Sequence, residues 1–158
     1  MNIHEILWNN EGQRLTPELI VGILTGIESG KPPMPVPLWQ LVPPELSSIA
    51  YAKYVFCVEP LPNCFAELAE QHQAQWSEVE RVRQVLDPDY DALLHSEQVG
   101  KRIQFTIRDE QGQLVGNCGC YVTVSTHTKQ LKGSEDTMYI APEHRKGLLA
   151  VKFFKYCE

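Results

Sequence analysis

Prolines crowd one short stretch of the chain: Pro32, Pro33, Pro35, Pro37, Pro43 and Pro44, with Trp39 among them. Each fixes its own φ and removes a backbone donor, so neither a helix interior nor a central strand can run through them. The stretch reads as an extended, semi-rigid connector, or as a docking peptide for a proline-reading module. It divides the chain into residues 1–50, an N-terminal helix plus the connector, and residues 51–158, a folded domain. The helix is expected from Thr16 as N-cap and Pro17 at the first helical position. Leu19, Ile20, Ile23, Leu24 and Ile27 then form an apolar stripe before Ser29-Gly30.

Beyond the prolines the pattern alternates between strand and helix. Tyr51 to Val58 is rich in aromatic and β-branched residues and predicts a strand closed by Glu59-Pro60. A helix is expected from about Cys64 to Leu86. Its apolar stripe is Phe65, Leu68, His72, Trp76, Val79, Val82 and Leu86, which predicts a buried Trp76 and reads His72 as a core residue. Glu67, Glu70, Glu78 and Arg81 form the opposite, solvated face. Asp87-Pro88-Asp89 breaks the helix, and a short helical turn is expected from Tyr90 to Gln98. Ile103, Phe105 and Ile107 alternate with polar neighbours. After a turn at Asp109–Gly112, Leu114 to Val124 returns as the partner strand. Ser125 to Gly133 reads as a polar loop, Thr137 to Ile140 as a short strand, and a helix begins near Leu148. The order predicts an α+β fold with a mixed, mainly antiparallel sheet flanked by helices.

Bulk properties narrow the partners. A formal net charge of −6 gives no global basic field for nucleic acid or anionic membrane. No apolar run approaches the ~18 residues that suggest a bilayer span, and the N-terminus lacks a secretory pattern, so a cytoplasmic address with reduced thiols is expected. Cys118 and Cys120 would share one strand face, but no second pair follows at ligand spacing, so no metal site is expected. Basic residues gather late in the chain, at Lys129, Lys132, Arg145, Lys146, Lys152 and Lys155.

The end of the chain carries the clearest chemistry. A helix launched from a short loop after a buried strand gathers free amide N–H groups at its positive end, the usual makings of a phosphate site. Arg145 and Lys146 add charge there, and Gly147 allows close backbone approach. The segment from Asp136 to Phe154, with Pro142 closing the strand, Arg145 opening the loop, Ala150 closing it, and Phe153-Phe154 following, resembles the acyl-CoA motif of GNAT-family N-acyltransferases. The Arg145-x-Gly147 spacing and Trp76-Ser77-Glu78 are similar to phage- and prophage-encoded members. The resemblance covers about Tyr51 to Glu158.

The resemblance implies a role for each residue. Amides from Lys146 through Gly147, Leu148 and Leu149 to Ala150 would cradle the pyrophosphate of acetyl-CoA, with Arg145 and Lys146 adding charge. The backbone of Tyr139 and Ile140 would pair with the pantetheine arm. The acetyl group would pass directly to an amine acceptor. Glu135 and Asp136 are candidates to take the amine's proton, with Tyr139 and His127 as weaker ones. A complete domain of this family continues past the helix at 148–158, which implies a truncated fold, its C-terminal half missing, completed by a second copy or a partner chain. The alternative reading is a non-catalytic interaction module of the same fold.

Overall fold

The computed structural model describes residues 36–80 and 84–158. The N-terminal helix expected over 16–27, with Pro32, Pro33 and Pro35, lies outside those residues, as do Arg81 and Val82 of the stripe region.

The prolines that are described sit where helices begin and no backbone donor is required. Pro37 precedes a 3-10 turn, Leu38–Leu41, and Pro44 opens a one-turn helix, Pro44–Ser47. Leu38 and Val42 pack against the core, so this stretch is fastened to the domain. The single strand expected over 51–58 is instead a hairpin. Strand β1, Ser48–Tyr51, turns through Ala52 at φ 53° into β2, Tyr54–Val58, with Ser48 opposite Cys57. The sheet thus begins at Ser48, inside the stretch expected to be connector.

Three longer strands complete the sheet: β3, Arg102–Arg108; β4, Leu114–Val124; and β5, Leu131–Ile140. Their order is β1-β2-β3-β4-β5, each antiparallel to its neighbour. The expected antiparallel α+β architecture is therefore present. β5 is longer than the strand expected over 137–140, because Ser125 N–H donates to Gln130 O (2.8 Å) and tightens the presumed loop into a hairpin turn. The β4–β5 register shifts at Gly119/Cys120, where Cys120 faces Glu135 and Gly119 faces Thr137. Asp136 is the residue left over, a β-bulge that re-aims its side chain.

Helices α1, Leu61–Val79, and α2, Tyr90–Gln98, lie on one face of the sheet, and α3, Leu149–Cys157, on the other. The α3 face is apolar: Phe56, Ile103, Phe105, Ile107, Cys118 and Ile140 pack with Leu149 and Phe153. The α1/α2 face is polar, with Arg102, Gln104, Thr106 and Asn117 all at 0% exposure. That chemistry rotates α1 away from its apolar stripe. Its buried residues are Leu61, Cys64, Leu68, Gln71 and His72, while Val79 is 58% exposed. Gln71 Nε2 donates to Leu114 O (2.7 Å), and its Oε1 accepts from Asn117 Nδ2 (2.7 Å). The helix also stops at Val79 rather than Leu86. Trp76, expected to be buried, is half-exposed, and its indole N–H donates to Gln84 O (2.8 Å). No helix among the described residues is long and apolar enough to cross a membrane.

Candidate functional site

The chain leaves β5 through a tightly bonded corner. Ala141 N–H donates to Val115 O (2.9 Å), and Pro142–His144 form a 3-10 turn. Tyr54 Oη lies 3.0 Å from His144 Nδ1, tying that turn to β2. Gly147 then adopts φ 65°, a left-handed conformation costing a residue with a Cβ ~1–2 kcal/mol. A Cβ there would meet nothing within 4 Å, so the loop is open on that side.

Helix α3 follows, and the amide N–H groups of Gly147, Leu148, Leu149 and Ala150 find no acceptor among the described residues. The first bond of the helix is Lys152 N–H to Leu148 O (2.9 Å). Leu149 and Phe153 are fully buried, with the Phe153 ring 5.4 Å from that of Phe56, and they hold this helix end in place. Lys146, Gly147, Leu148 and Ala150 remain exposed. Of the amides expected to form a cradle at 146–150, that of Lys146 donates to His144 O (2.8 Å) instead, and those of Gly147 to Ala150 are outward donors at a positive helix end.

The outer edge of β5, unpaired by any described strand, leads straight into this loop. Ala141 bonds Val115, and antiparallel pairing alternates, so Tyr139 exchanges its backbone bonds with Asn117 while Met138 and Ile140 point theirs outward. Of the two strand residues expected to present backbone to a ligand, Ile140 has its N–H and C=O directed away from β4. Tyr139 turns inward, and Met138 takes the second place. Both outward carbonyls are engaged: Gln75 Nε2 donates to Met138 O (3.2 Å) and Arg145 Nε to Ile140 O (2.6 Å). Arg145 also pairs with Glu78 Oε1 (2.8 Å) and lies 5.2 Å over the Tyr139 ring. Expected as a free anion-binding charge, Arg145 is here folded against the strand edge. Burial pushes the Tyr139 phenol above its ordinary pKa, so at neutral pH it stays a phenol rather than a base.

On the α1/α2 face, beside the same strand end, lies a cavity of about 560 Å³, a size suited to a small ligand. Its walls include His72, Trp76, Leu93, Tyr121, Asp136 and Thr137. The two candidate carboxylates, neighbours in β5, face opposite sides of the sheet. Asp136 lines this cavity, with its Oδ2 3.9 Å from Arg102 Nε. Glu135 lines a different pocket on the α3 face, beside Cys118 and Cys120. His127 sits exposed in the turn at the far end of the β4–β5 hairpin, away from both.

Sequence reasoning placed His72 in the core. It is buried, with Nδ1 3.2 Å from Tyr90 Oη and its ring stacked on that tyrosine, but it also lines the cavity. Desolvation, aided by the Arg102 charge, lowers its pKa below 6.5. The wall formed by α1 was discoverable from the spacing of His72, Gln75, Trp76 and Val79, which share one side of a helix. Cys118 and Cys120 do share a face, with Sγ atoms 3.6 Å apart; the Cys118 pKa is pushed up to about 12, so it stays a thiol. No metal-holding group of His, Cys, Asp and Glu occurs among the described residues.

No protein-family model matches the chain, and no curated protein does. Solved structures do. A ribosomal-protein-alanine N-acetyltransferase from Brucella melitensis biovar Abortus 2308 superposes with a TM-score of 0.56 at 20% identity, over 68% of this chain and 70% of that one. A possible acetyltransferase from Clostridium difficile 630 gives 0.55 at 16% identity, over 67% and 69%. An aminoglycoside acetyltransferase from an uncultured soil metagenomic sample gives 0.51 at 15% identity, over 65% and 66%. Identities this low speak for architecture alone. With the five-stranded antiparallel sheet, the β5–α3 corner and the flanking helices, they show that this chain has a GNAT-like N-acetyltransferase fold.

Proposed function

We propose that the chain is an N-acetyltransferase that binds acetyl-CoA at the β5–α3 corner and passes its acetyl group to an amine lodged in the cavity beside Asp136. One observation carries this reading: a single line of backbone donors. It starts with the outward amides of Met138 and Ile140 and continues into the free N–H groups of Gly147 to Ala150. A ligand that suits it carries amide groups along an extended arm and ends in a pyrophosphate, which is the chemistry of acetyl-CoA. Lys146 adds charge beside the phosphates, and Arg145 does so once it leaves Glu78. An amide N–H on the β5 edge can polarise the thioester carbonyl. The cavity opens next to this edge because Gln75 both lines it and holds Met138 O.

The chain's contribution is placement. The strand edge fixes the acetyl carbon, and the cavity fixes the amine, so that attack is effectively intramolecular. Names of structural neighbours point the same way, since an alanine amine and an aminoglycoside are both amine acceptors.

The test is ligand-induced stabilisation, since a ligand that binds only the folded state raises the melting temperature. Acetyl-CoA is expected to raise it, and Arg145→Ala with Lys146→Ala to diminish the shift, more so at high salt. No shift at millimolar acetyl-CoA would overturn the proposal.

A further inference from the structure

The cavity beside Asp136 has its own chemistry. Apolar and aromatic groups dominate its described wall: Trp76, Val79, Leu86, Leu93 and Tyr121. Two carboxylates appear among the described lining residues, Asp89 and Asp136. Asp89 caps α2, its Oδ1 accepting from Ala92 N–H (2.9 Å). Asp136 is one-third exposed and rests on a guanidinium that is entirely buried, Arg102, whose Nη2 is spent on Gln104 Oε1 (2.8 Å). The Gln75 amide is likewise spent on Met138 O. Thr137 Oγ1, buried and without a partner, lies next to Asp136.

The charged and titratable groups facing His72 are Arg102 from β3 and Asp136 from β5, with Tyr90 from α2 stacked against it. Its lowered pKa keeps the ring neutral near pH 7, so it does not repel a cation. Among the described residues the wall therefore sets two carboxylates, Asp136 against the buried Arg102 and the capping Asp89, in an apolar surround.

We infer that this cavity selects small hydrophobic monoamines, a primary ammonium on an aryl or branched-alkyl body, with Asp136 pairing the ammonium and Trp76, Leu93 and Tyr121 covering the body. The use of the cavity as an acceptor site rests on the acetyltransferase reading; its selectivity rests on its own lining. Polar, polycationic acceptors lose hydration against the apolar wall, and anionic ones meet Asp89 and Asp136. In the reaction the ammonium releases one proton to water. The amine nitrogen forms a C–N bond to the acetyl carbon as the C–S bond breaks, and the thiolate takes the amine's second proton. Ammonium and acetyl-CoA thus give an amide, CoA thiol and one proton.

Phenethylamine, kanamycin and glutamate titrated into the full chain by calorimetry test the inference. The variants are Asp136→Asn, which keeps the side chain's shape, and Ala92→Phe, which narrows the cavity from an exposed position. Phenethylamine should bind best, and each variant should weaken it about tenfold or more, as loss of an ion pair in a sheltered site does. Failure of the wild type to bind phenethylamine, tighter binding of kanamycin or glutamate, or unchanged affinity in Asp136→Asn would each overturn it. The acetyl-CoA melting shift, measured on the same samples, keeps the two proposals apart: a shift without amine binding removes only this one.

Discussion

Glu78 offers a prediction whose sign is unusual: removing this residue near the ligand should tighten binding. Arg145 pairs with Glu78 at 2.8 Å, the two side chains being 41% and 39% exposed. A pair this open contributes about 0.2–1 kcal/mol. To reach a pyrophosphate at the α3 end, the guanidinium must leave Glu78, so that energy is subtracted from ligand affinity. Glu78→Ala removes the subtraction. At RT of about 0.59 kcal/mol, the dissociation constant for acetyl-CoA should fall by about 1.4- to 5-fold. The gain should shrink in 0.5 M salt, where the Debye length is about 4 Å. Arg145→Ala should act in the opposite direction, and Glu78→Ala should add nothing once Arg145 is gone. Calorimetric titration of acetyl-CoA into the four proteins of this cycle reads all of it. Weaker binding by Glu78→Ala, or an equal gain in the Arg145→Ala background, would refute the reasoning.

Two further outcomes follow from burial. Phe153 is at 0% exposure against Phe56, so Phe153→Ala should cost about 3–5 kcal/mol of stability in chemical denaturation, whereas Phe153→Leu should cost less than about half of that; a loss below 1 kcal/mol for the alanine variant would mean the α3 end is not anchored as described. His72 is held neutral by burial, with a folded pKa below the 6.5 of the unfolded chain. Above pH 6.5 neither state is protonated and nothing changes. As pH falls below 6.5 the unfolded chain takes a proton that the folded one refuses, so stability should drop by up to about 1.4 kcal/mol per pH unit until the folded pKa is reached, and His72→Gln should flatten that slope in denaturation curves taken between pH 7 and pH 5.

The sequence pattern was most readable where local chemistry and tertiary packing agree. Leu114–Val124 and Tyr90–Gln98 lie where the alternation and the Asp87-Pro88-Asp89 break put them, and α3 starts one residue past the expected Leu148. It misled where polar residues do the packing. Gln71 and Asn117 form buried bonds between α1 and the sheet, and a hydrophobic stripe cannot register them, so the stripe misplaces the buried face of α1 and sets Trp76 too deep. Asp136 and Glu135 looked equivalent as neighbours in sequence. Strand alternation sends them to opposite faces, but the alternation alone does not say which face carries the cavity. The loop at 145–150 was legible because glycine, charge and a following apolar helix each mark a helix start. The exchange of Tyr139 for Met138 at the strand edge was not, since it depends on which residue faces β4.

The central claim is that acetyl-CoA lies along the β5 edge and over the start of α3. Amide chemical shifts of the isotopically labelled chain, followed while acetyl-CoA is added, test it residue by residue. Saturable shifts should concentrate at Met138, Ile140, Gly147, Leu148, Leu149 and Ala150, with the turn around His127 unmoved. Absence of saturable shifts at millimolar ligand, or shifts centred elsewhere in the chain, would contradict it.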